Sequence, residues 1–272
     1  MLFAIRANRR ALISELAQAQ TISTRKTGGV PVLGCVLLSA QPGQLYVDIQ
    51  TTNLDETYVT RTQAQIAVAG IIAVPVHRLY DYLRLLPDGD VEISCEQPKE
   101  ILVRMGRSKT KIIGIDPSQF PAVPESSATL LQLPGDTLAG MLRRCRFAIC
   151  SSEGRFQLNA LLIEIKPNRL RLVATDGNRL ALVESEYESQ EDTSLLVART
   201  AVDTILNLAT NAGEDKVEIA SDEKYIIART GHRQIFSRRM SGTYPGYEGA
   251  LPNGQGTEVA SVGLWPAGTR YI

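Results

Sequence analysis

Few side chains in this sequence could perform acid–base or nucleophilic chemistry. A Ser-His-Asp or Cys-His arrangement would need His77 or His232, because these are the only two histidines, and neither lies near a nucleophile elbow. His77 is expected to open a helix at the surface. Glu184 and Glu186 form an acidic pair, but strand alternation places both on one solvated face, where nothing raises a carboxyl pKa. We therefore expect no catalytic residue.

Two segments match ligand-binding loops only in part. In Gly106–Thr110, the glycine that a phosphate loop needs before its lysine is replaced by Ser108. Asp176–Asn178 begins like a calcium loop, but its third ligand position is Leu180. Both segments are predicted to be hairpin turns. We expect no metal site and no cofactor.

Charge and cysteine content restrict the class of protein further. The chain has 272 residues, with 29 Lys plus Arg against 29 Asp plus Glu, so its net charge is zero. This balance argues against binding of nucleic acid by overall positive charge, although a local basic surface is compatible with it. The four cysteines form no Cys-x-x-Cys pair and lie far from the histidines, which favours a reduced, cytoplasmic compartment. No run approaches the roughly 18 apolar residues of a membrane span, so we expect no membrane partner, anchor or signal peptide.

Four pairs of segments recur in the same order, at offsets of about 122 to 126 residues. The pairs are Leu45–Leu54 with Leu170–Gly177, Val76–Leu86 with Ala198–Ala209, Val91–Ile93 with Val217–Ile219, and Phe120–Pro121 with Tyr244–Pro245. Their constant order predicts a duplicated unit of roughly 120 residues. The alternative is two unrelated α+β domains. The Pro- and Ser-rich stretch Pro121–Ala128 is the predicted boundary.

Within each unit the pattern predicts a helix, strands, a second helix and more strands. Asn8 is expected to cap the first helix and Asp136 the corresponding helix of the second unit. The second helices should cover Val76–Leu86 and Ala198–Ala209, with apolar residues at helical spacing. Residues alternate with period two in Val32–Leu38, Leu45–Ile49, Ala160–Ile165 and Leu170–Ala174. The result is an α+β protein with a mostly antiparallel sheet and two helices on one face, twice.

The four predicted helices carry more basic than acidic residues. The arginines are Arg9, Arg10, Arg78, Arg84, Arg143, Arg144, Arg146 and Arg199, and the acidic residues are Glu15, Asp81, Asp136 and Asp203. Because the apolar faces must pack on the sheets, the charged residues should face solvent. A basic helical surface suits attraction to a phosphate backbone without base reading. Ordinary solvated helix faces are the alternative.

The segment Leu170–Val183, Leu-Arg-Leu-Val-Ala-Thr-Asp-Gly-Asn-Arg-Leu-Ala-Leu-Val, resembles the signature of the bacterial DNA sliding clamp, the beta subunit of DNA polymerase III. Further matching segments follow in the family's order over about residues 1 to 252. They are Ile22–Thr27, Val30–Leu33, Thr52–Leu54, Val74–Pro75, Phe120–Pro121, Phe156–Asn159 and Tyr244–Tyr247.

The resemblance implies tandem clamp domains, each with antiparallel sheets on the outside and two helices on the inner face of a ring. Domain 1 would comprise residues 1–124 and domain 2 residues 125–252, followed by an atypical tail at 253–272. The implied activity is non-catalytic: the ring tethers the replicative polymerase to duplex DNA for processive synthesis, without sequence preference. The implied partners are duplex DNA, the DNA polymerase III alpha subunit, the clamp loader and other polymerases that bind through short linear motifs, and further copies of the chain in a homo-oligomeric ring.

The resemblance also implies two sets of site residues. Residues at positions that face DNA in the family are Arg25, His77, Arg78, Ser152 and Arg199. Residues at positions of the family's peptide pocket are Leu158, Thr175, Gly177, Asn178, Arg179, Leu180, Pro245, Gly249 and Ala250. Such a cleft suits a peptide anchored by one or two apolar side chains.

The family pattern continues into a third domain, whereas this sequence ends at Ile272. Three interpretations stay open at this point. The chain is a truncated or frameshifted clamp, a two-domain clamp that closes as a trimer, or a regulator that binds clamp partners without encircling DNA.

Overall fold

The structure is a computed structural model that describes residues 1–24, 29–125, 127–151, 156–251 and 270–271. It contains two compact units. Unit 1 comprises Met1–Ser126 and Gly231–Phe236, and unit 2 comprises Ser127–Thr230 and Ser237–Ile272. The division into domains 1–124 and 125–252 with a tail at 253–272 stays a prediction, and most of that tail lies outside the described residues.

Unit 1 is built from antiparallel strands and two helices. Its elements are β1 (Phe3–Asn8), α1 (Arg9–Ile22), β2 (Cys35–Ala40), β3 (Tyr46–Thr52), β4 (Glu56–Val68), β5 (Gly70–Pro75), α2 (Val76–Leu85), β6 (Asp90–Gln97), β7 (Glu100–Met105) and β8 (Ser108–Ile113). The strands follow two paths, β8-β7-β6-β1-β4 and β4-β3-β2-β5. The long strand β4 joins them, because its first half pairs with β3 and its second half with β1.

Unit 2 repeats the plan. Its elements are β9 (Thr129–Pro134), α3 (Gly135–Arg146), β10 (Ala160–Lys166), β11 (Arg169–Thr175), β12 (Leu180–Ser185), β13 (Thr193–Ala198), α4 (Arg199–Ala212), β14 (Lys216–Ser221), β15 (Tyr225–Thr230), β16 (Arg233–Arg238) and β17 (Arg270–Tyr271). Strand β16 begins in the unit 1 segment and ends in unit 2. One sheet has the order β13-β10-β11-β12-β17, and β14 lies between β9 and β15 in the other.

The helices pack as their apolar spacing predicts. On α1, Leu12, Leu16 and Ala19 are fully buried, and α1 lies against α2, β3 and β4. In unit 2, α3 lies against α4, β11 and β12. Each fully buried leucine contributes about 2 kcal/mol to folding, so these faces hold the helices on the sheets.

Two local predictions are wrong. The backbone N–H groups of Gly135 and Asp136 donate to carbonyls of the α4–β14 turn, at 2.9 Å to Asp215 and 2.7 Å to Gly213. Helix α3 therefore begins one residue earlier without a side-chain cap, and Asp136 lies in its first turn. The strand predicted from Val32 begins at Cys35, because Pro31–Gly34 forms a 3₁₀ turn with proline at its start. The Asn8 cap of α1 is confirmed by hydrogen bonds from the N–H groups of Arg10 and Ala11, at 3.0 and 3.3 Å.

Both hairpin predictions are confirmed. Gly106 and Arg107 connect β7 with β8, and Asp176–Arg179 connect β11 with β12. Among the described residues, no helix has the length and apolar character needed to cross a membrane.

Candidate functional site

Unit 1 presents four arginines on or beside its two helices. Arg10, Arg78 and Arg84 are exposed, whereas Arg9 is largely buried. Arg9 donates to the carbonyls of Leu83 at 2.6 Å and Arg84 at 3.0 Å, which satisfies acceptors at the end of α2. Asp88, outside the helices, pairs with Arg9 at 3.0 Å and also with Arg10. Arg78 and Arg84 are therefore better placed than Arg9 to attract an external phosphate.

His77 lies in the first turn of α2, as predicted, but both nitrogens of its ring contact polar side chains of unit 1. Its Nδ1 lies 2.9 Å from Gln20 Oε1, and its Nε2 lies 3.3 Å from the hydroxyl of Ser23. The half-buried ring thus ties the start of α2 to the end of α1. The neighbouring Arg78 projects into solvent, so it carries the available charge at this helix end.

In unit 2, the helical arginines are also partly engaged. Arg199 donates to the carbonyl of Ile149 at 2.8 Å and is half-buried. Arg143 donates to Thr210 at 2.8 Å while its side chain remains exposed, and Arg146 pairs with Asp203. The solvated arginines of unit 2 are thus held in place by neighbours on their own helix pair. Arg25 and Ser152, the remaining predicted DNA-facing residues, lie outside the described residues.

Glu15 was counted among the acidic residues of the helix surface, and this was wrong. Its side chain is only 6% exposed. It accepts hydrogen bonds from Tyr58 and Thr60, both at 2.8 Å, and from Arg233 at 2.6 Å. Burial alone would raise the pKa of this carboxyl, but the hydrogen bonds from Arg233, Thr60 and Tyr58 outweigh burial and lower it. Because Arg9 is also largely buried, one basic and one acidic residue both leave the solvated helix faces, and the excess of basic residues on them stays as the sequence count gave it.

The predicted peptide pocket centres on a turn in unit 2, Thr175–Arg179, here called the Thr175 turn. The Thr175 hydroxyl donates to the carbonyl of Arg179 at 2.7 Å and accepts the N–H of Gly177 at 3.1 Å. Asp176 Oδ1 accepts the N–H groups of Asn178 and Arg179 at 3.0 and 3.1 Å. Gly177 has φ +90°, a conformation that favours glycine. The turn is thus rigidly closed by its own side chains.

The second wall of the predicted pocket is Tyr244–Leu251, here called the tyrosine segment. The Tyr244 hydroxyl accepts the N–H of Thr175 at 2.9 Å, which joins this segment to the Thr175 turn. Tyr244 and Tyr247 are buried in an apolar cluster with Leu162, Val173, Leu182 and Leu196 of the sheet. Leu180 and Leu251 pack against the same cluster.

The structure brings most of the predicted pocket residues into unit 2 as one neighbourhood. Thr175 is hydrogen-bonded to the tyrosine segment, Leu180 packs against the apolar cluster that contains Tyr244 and Tyr247, and Pro245 lines a cavity of about 350 Å³ beside it. Gly249 and Ala250 are exposed in the 3₁₀ turn Glu248–Ala250. Leu158 is half-buried, and its carbonyl accepts the N–H of Cys150 at 3.0 Å.

Asn178 and Arg179 also line a separate pocket of about 440 Å³ together with Phe147 and Arg199. The Arg179 guanidinium lies 5.3 Å from the centre of the Phe147 ring and donates to Asp176 at 2.9 Å. Two residues of the predicted peptide pocket therefore border a predicted DNA-facing residue, Arg199, within unit 2.

Comparison with known proteins assigns the family. The profile of the DNA polymerase III beta subunit N-terminal domain matches residues 1–124, and that of its central domain matches residues 132–246. A beta sliding clamp of Pseudomonas putida is 33% identical over 252 residues, covering 90% of this chain and 67% of the relative. The chain belongs to the DNA polymerase III beta subunit family.

Solved sliding clamps agree with the fold. The DNA polymerase III beta subunit of Pseudomonas aeruginosa superimposes with a TM-score of 0.85 at 30% identity, covering 92% of this chain and 68% of that one. A second structure of a Pseudomonas aeruginosa sliding clamp, bound to griselimycin, gives a TM-score of 0.84 at 29% identity, over 93% and 69% of the two chains. This chain thus spans about two thirds of the length of these sliding clamps. Family membership makes it a DNA replication protein and a non-catalytic processivity subunit.

Sequence reasoning missed the contacts of four residues beside the predicted peptide pocket, Glu164, Arg171, Glu184 and Tyr247. Glu184 was predicted to lie on a solvated face, but it is half-buried and pairs with Arg171 on the neighbouring strand. Tyr247, known from sequence only as part of a matching motif, is 5% exposed, and its hydroxyl donates to Glu164. Opposite charges at Glu164, Arg171 and Glu184 on successive strands were the available signal, because facing positions of a hairpin can be read from its turn.

Proposed function

We propose that copies of this chain enclose duplex DNA in a ring and hold DNA polymerase III on it during replication. The observation that supports this most is the duplicated unit, in which each antiparallel framework carries a helix pair with exposed arginines. Arg78 in unit 1 and Arg143 in unit 2 are examples. Guanidinium groups at helix surfaces attract phosphates without reading bases, so they suit contact that is independent of sequence.

Enclosure explains how weak contact is sufficient. A neutral chain binds DNA poorly by its overall field, and several of its helical arginines are already paired with aspartates. A closed ring does not need tight contact, because it cannot dissociate sideways from a continuous duplex. Weak electrostatic contacts then permit movement along the DNA. Duplex DNA, further copies of this chain and a reduced cytoplasmic compartment belong to this proposal, and the four free buried cysteines support the last.

As a second part of the proposal, we infer a peptide-binding groove between the Thr175 turn and the tyrosine segment, which the hydrogen bond from the Thr175 N–H to the Tyr244 hydroxyl holds together. Both segments are closed by their own hydrogen bonds, and Pro245, Gly249 and Ala250 are exposed, so a short linear motif could bind against a preformed surface. We expect it to bind peptides of the DNA polymerase III alpha subunit, the clamp loader and other polymerases. Leu158, Leu180 and Pro245 would contact apolar side chains, and Thr175, Gly177, Asn178, Arg179, Gly249 and Ala250 would line the groove.

DNA retention on circles and linear molecules tests the tether. The purified chain is mixed with a nicked circular plasmid, and gel filtration separates bound from free protein before and after linearisation. We expect co-elution with the circle and release from the linear form. Arg78→Ala should weaken retention, whereas Arg104→Ala, an exposed arginine on strand β7, should not. Equal retention on both DNA forms would contradict enclosure.

A regulator that binds clamp partners without encircling DNA remains the second candidate. The observation in its favour is that the Thr175 turn and the tyrosine segment both lie in unit 2, so the groove is built by one unit. Calorimetric binding of griselimycin, combined with no preference for circular DNA, would favour this function over the tether.

A further inference from the structure

Three charged residues lie in a row across the sheet under the tyrosine segment. Glu164 on β10 is paired in register with Arg171 on β11, and Arg171 is paired with Glu184 on β12. The Arg171 guanidinium forms an ion pair with Glu184 and also donates to the Tyr247 hydroxyl at 3.4 Å. The Tyr247 hydroxyl in turn donates to Glu164. Tyr247 therefore closes a network that spans three strands.

This network fixes the backbone that carries predicted pocket residues. Tyr244 is held by Thr175 at one end, and Tyr247 is held by Glu164 and Arg171 three residues later. Pro245 lies between these two anchors. Gly249 and Ala250 follow in a 3₁₀ turn that the Ala250 N–H closes onto the Tyr247 carbonyl at 3.0 Å.

Unit 1 contains the same turn, which allows an internal comparison. In Thr52–Glu56, the Thr52 hydroxyl donates to the Glu56 carbonyl at 2.9 Å and accepts the Leu54 N–H at 3.0 Å. Asn53 Oδ1 accepts the N–H groups of Asp55 and Glu56 at 3.0 and 2.7 Å. These bonds match those of the Thr175 turn one for one, so the two turns define equivalent positions.

Among the described residues of unit 1, the network around Tyr247 has no equivalent. The corresponding row is Ser39, Asp48 and Arg61, with a serine in place of Glu164 and the other two charges exchanged. Val123 stands where Tyr247 does, three residues after Phe120 as Tyr247 is after Tyr244, and it is 41% exposed. The framework of unit 1 thus forms without this network, and within the described ranges it occurs in the unit with the predicted peptide pocket.

We propose that Tyr247, held by Glu164 and Arg171, is a positioning residue that presets the Pro245, Gly249 and Ala250 wall for peptide binding. The inference rests on the proposed peptide-binding function of the groove. A wall that is ordered before binding costs less conformational entropy when the peptide binds, so affinity rises without a new contact. Burial, together with the hydrogen bond to Glu164, raises the pKa of Tyr247 to about 12, so its hydroxyl remains a donor at neutral pH.

Tyr247→Phe tests the inference, because it removes one hydroxyl and keeps the ring. Griselimycin, the ligand in a solved Pseudomonas aeruginosa sliding clamp, is the probe, and the proposed groove is its expected site on this chain. Isothermal titration calorimetry gives its Kd. Loss of one hydrogen bond of this kind corresponds to a weakening of about fivefold. Hydrogen exchange at the amides of 246–251 should become faster, while exchange in β10 stays unchanged. Tyr82→Phe is the matched control, since among the described residues the Tyr82 hydroxyl has no hydrogen-bond partner.

A second pair of variants separates positioning from stability. Glu164→Ala should weaken binding as Tyr247→Phe does, and Glu164→Gln should restore most of the affinity because its amide oxygen still accepts from Tyr247. Asp48→Asn changes the neighbouring position of the unit 1 row and should leave Kd unchanged. The double variant of Tyr247→Phe with Glu164→Ala should be no weaker than either single variant.

The outcomes distinguish the inference from the function on which it rests. If the unmodified chain binds griselimycin and Tyr247→Phe binds equally well, the positioning role is overturned while the groove stands. If the variants lose affinity only in proportion to their loss of thermal stability, measured as Tm, the network serves stability alone and the inference is again overturned. If the unmodified chain does not bind griselimycin, both the peptide groove and its positioning residue are rejected.

Discussion

At the scale of single residues, the Glu15 carboxylate of unit 1 depends strongly on its ion-pair and hydrogen-bond partners. It is buried and accepts two hydrogen bonds from the Arg233 guanidinium, at 2.6 Å from Nη2 and 3.0 Å from Nε. Buried carboxylates are tolerated only when paired and hydrogen-bonded. Arg233 is therefore required by Glu15, although 218 positions separate the two in sequence.

Arg233→Met should destabilise the protein by about 3–5 kcal/mol, because it leaves the Glu15 charge buried without its partner. Urea unfolding measures this loss. Adding Glu15→Gln to the same variant should recover part of it, since the uncompensated charge is then removed. Equal stability of Arg233→Met and the unmodified chain would show that solvent reaches Glu15.

The same carboxyl gives a pH dependence of stability. Its pKa is lower in the folded protein than its ordinary value of 4.5, so its contribution is present above that value. As the pH falls through the lowered pKa, the unfolded state binds the proton more readily and this contribution is lost. We expect Glu15→Gln to flatten the decline of stability below about pH 4.5, relative to the unmodified chain.

At the scale of elements, the two helices of unit 1 are joined by more than apolar contact. Arg9 in the first turn of α1 reaches the last carbonyls of α2, while the adjacent Arg10 reaches only Asp88 among the contacts described. Both arginines share one carboxylate, but only Arg9 ends in a sheltered position, with its side chain 14% exposed.

Arg9→Ala should therefore lower stability by about 1–2 kcal/mol, because the carbonyls of Leu83 and Arg84 lose a charged donor. Arg10→Ala is the matched control and should change stability much less, since an exposed ion pair contributes little. Thermal unfolding monitored by circular dichroism compares the two. An equal effect of both substitutions would mean that the shared Asp88 contact, rather than the carbonyl contacts, joins the helices.

Periodicity and turn chemistry predicted the elements well, for physical reasons. The apolar spacing of Leu12 and Leu16 is set by the period of the helix. The Thr175 turn is closed by hydrogen bonds between residues two and three positions apart. Interactions between residues close in sequence can therefore be predicted from a short stretch of the sequence. The burial of Glu15 and the role of Tyr247 depend on partners far away in sequence, so no window of residues could show them.

At the scale of the whole molecule, the salt dependence of DNA binding should report the number of phosphate contacts. Each neutralised phosphate releases condensed counterions, so log K falls with log salt by about 0.9 per contact. We expect Arg78→Ala to reduce the magnitude of this slope by about 1 for each copy that touches DNA. Fluorescence anisotropy with two unrelated duplex sequences should give the same slope. A slope that depends on sequence would contradict readout of the backbone alone.

Both sets of predicted site residues come from the resemblance of this chain to sliding clamps, and the structure adds the contacts of those that it describes. His77 is held by Gln20 and Ser23, and Arg199 is held by a backbone carbonyl. The sequence shows which positions match a family and does not show which side chains already have hydrogen-bond partners within the fold.

Because Gly231–Phe236 belong to unit 1, substitutions at Glu15 and at Arg233 should be linked during evolution. Glu15 and Arg233 lie in different family-profile matches, 1–124 and 132–246, yet each is costly without the other. Substitution at one position should therefore be accepted mainly in lineages that also change the other. Among homologous sequences, an apolar residue at the position of Glu15 is expected to coincide with loss of the guanidinium at the position of Arg233.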